Sequence, residues 1–106
     1  MKKSLLIGSL TLVLLGACST LEKTAPPVSP EMIGVGQAHG ISAESLVAGR
    51  RLLAMRCTNC HSLEPIEKFS APQWIEIVQK MAKRSGVSDD QKRQITDYLT
   101  TARSSL

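Results

Sequence analysis

The chain is poor in aromatic side chains, with Phe69, Trp74 and Tyr98 the single members of their kinds among 106 residues. A small domain with so few rings buries little apolar surface, so something besides its own side chains must complete the core. Cysteine is scarce as well. Three cysteines cannot all pair, which excludes a scaffold built wholly on disulfides. The histidines are two, His39 and His61, and no second Cys/Cys or Cys/His pair stands at zinc-ligand spacing, which argues against a zinc module. There is no basic block with interleaved aromatics, so nucleic acid is not a partner. No apolar run is long enough for comfortable spanning either: the longest, residues 4–17, has 14 residues, where a bilayer needs about 20.

That run does have a basic tip, Met1-Lys2-Lys3, and ends in Leu15-Gly16-Ala17-Cys18. A charged start, an apolar middle and small residues at the end make residues 1–17 a signal peptide. The ending resembles the lipobox of bacterial lipoproteins, in which cleavage directly before a cysteine leaves Cys18 as an acylated first residue and a lipid anchor. Removing the first 17 of 106 residues leaves 89, one small domain and a tail. The loss of Lys2 and Lys3 lowers the net charge from +4 to +2. Residues 18–41, with Pro26, Pro27 and Pro30 among Ser, Thr and Gly, read as the lipidated cysteine and a flexible tether. About 22 such residues have a root-mean-square reach of roughly 25 Å. Ser19 replaces the aspartate that resembles an inner-membrane retention signal, which favours the periplasmic face of the outer membrane.

The centre of the chain is Cys57-Thr58-Asn59-Cys60-His61. Two thiols three positions apart sit on one helical turn and can each add to a vinyl group of one porphyrin, while the next histidine reaches the iron. In an exported chain this is a covalent haem c site. The spacing also admits a redox dithiol, but the flanking strand and βαβ pattern of that fold are missing. One cysteine for lipid and two for haem leave none unassigned. Two haem propionates would bring the net charge near zero.

The folded part occupies residues 42–106. Ser42 looks like an N-cap, with Ile41 and Leu46 as a hydrophobic staple and Glu44 in the first turn of a helix ending near residue 56. Leu46, Gly49, Leu53 and Cys57 share one face, on which a mid-helix glycine costs about 1 kcal/mol and therefore signals a close approach. Residues 62–72, interrupted by Pro65 and Pro72, wrap one haem edge, and the carbonyl of Glu64 or Pro65 is a candidate acceptor for the second nitrogen of His61. A second helix starts at Pro72 or Gln73, runs to Arg84 and stops at Gly86. It carries Trp74, Ile77, Val78 and Met81 on one face, suited to a porphyrin plane. Ser88 to Gln91 forms a capping box for a last helix that buries Ile95, Tyr98, Leu99 and Ala102. Lys92, Arg93, Asp97 and Arg103 read as a solvated surface. Beyond His61, the second iron position has Met81 as its leading candidate, with His39 or an open position as alternatives. Met32 lies in the tether and Met55 too close to Cys57.

Together these features resemble class I cytochromes c over residues 42–102. The shared features are a first helix with Gly49 eight residues before Cys57, the CTNCH motif, and a last helix with Tyr98-Leu99. The resemblance implies an all-α, small cytochrome c-like domain of about three helices around a covalent haem, with Gly49 packed against Tyr98. Family members often hold the methionine ligand in an extended loop before a proline. Met81 instead precedes Ala82-Lys83-Arg84 and lies 20 residues after His61, as in compact members. The expected function is a membrane-anchored, one-electron carrier serving redox protein partners. It is not an enzyme, since nothing beyond the haem offers an acid, base or nucleophile for a small-molecule substrate. The alternative is a haem sensor or enzyme subunit with an open sixth position; a zinc or disulfide module ranks below both.

Overall fold

The structure is a computed structural model and describes residues 23–57 and 63–106. Among the described residues there are four α-helices: α1 Pro30–Ala38, α2 Ala43–Arg56, α3 Ala71–Ser85 and α4 Asp89–Ser104. One 3₁₀ turn, Ile66–Lys68, lies between α2 and α3. The fold class is all-α, as expected, with one helix more than the sequence suggested. Among the described residues no helix is long and apolar enough to cross a membrane.

The helix starts follow from their caps. The side chains of Ser42, Ser70 and Ser88 accept from the backbone N–H groups of Ser45, Gln73 and Gln91. At α3 and α4 the glutamine returns the bond to the cap N–H, closing a capping box at each. The Ser70 box starts α3 at Ala71, slightly earlier than the Pro72 or Gln73 start expected, and puts Pro72 at a position that tolerates it. Gly86, at φ 69°, supplies the left-handed residue that stops α3.

The most extensive packing is between α2 and α4. Gly49 makes it possible: a Cβ placed there would lie 2.8 Å from the Tyr98 Cβ and closer still to the Gln94 carbonyl. The two backbones meet at a distance no other residue permits. Leu46, Leu53, Ile95, Tyr98 and Leu99 fill the interface, each at most 4% exposed. Ser45 donates to Asp97 across it at 3.2 Å. At the other end of α4, Arg103 donates to the Phe69 carbonyl at 2.9 Å. Asp97 and Arg103 are thus bridging groups, whereas Lys92 and Arg93 match the solvated surface expected of them. These two pair with Asp89 and Asp90 at 3.8 and 3.4 Å, exposed contacts worth little.

The segment expected to be a flexible tether up to residue 41 departs most from the sequence reading. Residues 30–38 form α1, capped by Ser29, whose side chain accepts from the Met32 N–H at 3.1 Å, with Pro30 at the first helical position. Met32 and Gly36 face inward, and a Cβ on Gly36 would press on Leu46 Cδ1 at 3.2 Å and the Ile41 carbonyl at 3.3 Å. Upstream of α1, Ala25 is 1% exposed and its carbonyl accepts from Arg50 Nε at 3.0 Å. The Pro26 carbonyl accepts from the Tyr98 hydroxyl at 2.6 Å. The Pro and Gly content that suggested a tether instead serves a helix start and a close approach.

Candidate functional site

A cavity of about 310 Å³ opens between α2, α3 and α4, at the lower end of the roughly 300–1,000 Å³ typical of ligand sites. α2 delivers Leu53 and, at its C-terminal cap, Cys57, which is 6% exposed. α4 supplies Ile95 and Leu99. The loop after the CTNCH motif adds Leu63, Glu64 and Phe69.

α3 forms a long wall. Trp74, Ile77, Val78 and Met81 all line the cavity, with Trp74 5% and Val78 4% exposed and Met81 half-buried. Trp74 is held in place at both ends of its ring system. Its indole N–H donates to the Ile66 carbonyl at 2.9 Å, and Phe69 meets it edge-on with centroids 5.1 Å apart. Turning the only polar atom of the indole toward backbone leaves an apolar ring for the site. Met81 sits in the third turn of α3, where its carbonyl accepts from the Ser85 hydroxyl at 2.9 Å. The Pro65 carbonyl, a candidate partner for His61, accepts from the Lys68 N–H at 3.0 Å in the 3₁₀ turn.

Of the residues singled out from the sequence, Cys57, Trp74 and Met81 are brought to one cavity. Cys60, His61 and Cys18 lie outside the described residues. His39 is exposed at the end of α1 and does not line the cavity; Met55 is 61% exposed, and Met32 is in the core, 3% exposed. Sequence reasoning missed Thr24, which lines the cavity from the N-terminal segment. No local pattern marks it, because only the docking of Ala25 and Pro26 carries it there.

The lining suits a largely apolar group. One wall offers a buried thiol, which can add to a vinyl group, and another a thioether, a soft donor of the type iron accepts. Neither a family model nor a solved structure matches the chain. Over 51 residues it is 33% identical to the cytochrome c-type protein TorY of Haemophilus influenzae. Over that stretch the chain is similar to a c-type cytochrome. The stretch makes up 48% of this chain and 14% of that protein, so the chain spans only a small part of the relative's length.

Proposed function

We propose that the chain is a membrane-anchored c-type cytochrome with one covalent haem, carrying single electrons between redox proteins at the periplasmic face of a bacterial outer membrane. One observation carries the reading: the first thiol of CTNCH lines the same apolar cavity as Met81 and Trp74. In this reading Cys57 and Cys60 would hold the porphyrin through thioether bonds, His61 and Met81 would be the side chains that bind its iron, and Trp74 would pack against the ring. Cys18 carries the lipid. The order of first helix, motif and last helix, with Gly49 against Tyr98, supports a class I domain.

When bound, the haem supplies a ferric/ferrous couple. The chain's part is to set its environment. Leu53, Val78, Ile95 and Leu99 keep water from that environment, and an apolar surround favours the less charged, reduced iron. Thioether ligation by Met81 would act in the same direction and raise the potential above that of a bis-histidine site. The similarity to a cytochrome c-type protein supports a carrier over an enzyme.

The test is the optical spectrum of protein expressed in a periplasm with haem-attachment machinery, wild type beside Met81→Ala. The wild type should show a Soret band and a methionine-to-ferric-iron charge-transfer band, and the variant should lose the second alone. Carbon monoxide should bind the variant rapidly and the wild type slowly. Absence of a Soret band overturns the haem reading, and rapid carbon monoxide binding by the wild type overturns the carrier in favour of an open iron site.

A further inference from the structure

The cavity is apolar almost throughout, and its few polar side chains differ in whether they still have a bond to give. Among the described residues of its lining, those with a formal charge are Glu64 and Lys80. Glu64 is paired with Lys68 at 2.9 Å. Trp74 gives its indole N–H to the Ile66 carbonyl, Ser85 gives its hydroxyl to the Met81 carbonyl, and Thr24 has a partner of its own. Lys80 is different. No ion pair among the described residues engages it, although Glu76 stands four positions earlier on α3, where helical neighbours can meet.

The place of Lys80 on α3 is a rim position. At 100° per residue, Trp74, Val78, Met81 and Ser85 fall within roughly 60° of one another, and Lys80 lies roughly 130° round from the middle of that stripe. It is exposed and still lines the cavity. A lysine so placed can run its aliphatic stem along the apolar wall and keep its ammonium at the mouth.

A haem is an apolar ring that carries two propionate carboxylates on one edge. A carboxylate brought against apolar walls is costly unless it is paired and hydrogen-bonded. We propose that Lys80 pairs with a haem propionate at the rim of the cavity and so fixes the ring against α3. The proposal rests on the haem reading above. It gives a positive charge, one residue from Met81, a task that neither the motif nor the apolar lining performs. An ammonium that offsets the propionate charge favours the less positive, reduced iron, so the pair raises the potential.

The test uses the haem-loaded full chain made in a periplasm, wild type beside Lys80→Gln, Lys80→Arg and, as a control, Lys83→Gln. Lys83 is an exposed cation of the same helix that does not line the cavity. The readouts are the reduction potential at low ionic strength and the propionate-bending band of the resonance Raman spectrum. Lys80→Gln should move the band and lower the potential by more than Lys83→Gln does, Lys80→Arg should keep both near the wild-type values, and the methionine-to-iron charge-transfer band should persist in every variant. An unmoved propionate band in Lys80→Gln, with the wild type showing its Soret band, overturns this inference alone. Equal falls in potential for Lys80→Gln and Lys83→Gln overturn it too, as does a Lys80→Arg protein that behaves like Lys80→Gln. Loss of the charge-transfer band in Lys80→Gln also overturns it, since that marks a residue that only shapes α3. Absence of a Soret band from the wild type overturns the haem reading beneath it.

Discussion

Gly49 and Tyr98 decide how closely the two main helices approach. A methyl group at position 49 would meet backbone at Gln94, which cannot swing aside as a side-chain end can. Gly49→Ala should cost about 3 kcal/mol or more, the upper end of overpacking. At about 4–8 °C per kcal/mol for a domain of this size, thermal unfolding should drop by more than ~10 °C; an unchanged midpoint would mean that the helices simply slide. Tyr98 acts through its hydroxyl. Burial pushes its ionisation up from 10.0 to about 12, with Arg50 opposing that rise. The folded state therefore favours the neutral phenol: the associated stability is fully present below pH 10 and is lost as pH rises through about 12. Tyr98→Phe should lower stability at neutral pH by about 1 kcal/mol, for the lost bond to Pro26. It should also flatten that alkaline limb in denaturation curves taken from pH 9 to pH 12, and parallel curves would remove Tyr98 from the explanation.

At the scale of elements, the N-terminal segment is part of the folded domain. Its Met32 side chain is buried, worth about 1.5–3 kcal/mol, and its bonds to Arg50 and Tyr98 add about 1 kcal/mol each. Haem-loaded protein beginning at residue 42 should therefore lose about 3 kcal/mol or more relative to protein beginning at residue 23, read from urea midpoints at equal slope. Equal midpoints would return residues 23–41 to the role of tether. The helices after Ser42 were legible because their signals are local: a serine cap, a glutamine three residues on, a glycine stop. α1 has the same kind of start in Ser29-Pro30, but Gly34 and Gly36 mask it. The reason for Gly36 is the proximity of Ile41 and Leu46, which no local pattern announces.

For the whole molecule, the open question is what keeps so lean a core folded. The open cavity of about 310 Å³ leaves Leu53, Val78, Ile95 and Leu99 short of packing partners. A covalent haem in that space would remove the deficit. Replacing Cys57 and Cys60 with alanine should leave a largely unfolded domain, with near-ultraviolet circular dichroism lost and no cooperative thermal transition. A sharp transition in that haem-free protein would show that the helices need no filler.

Residue order alone determined the helical class, the starts of α2 and α4, the stop of α3 and the close approach at Gly49. Each of these depends on neighbours within a turn or on one costly residue, and such causes are written locally. The CTNCH motif carries the proposed haem chemistry within five positions, of which Cys57 alone is among the described residues. Tertiary structure decided what no window of sequence contains. It brought Thr24, Cys57, Trp74 and Met81 to one cavity, turned the Trp74 indole N–H onto the Ile66 carbonyl, and drew the supposed tether into the core. Those outcomes depend on contacts such as Tyr98 with Pro26, 72 residues apart, where the gain from burying a segment exceeds its local preference to remain extended.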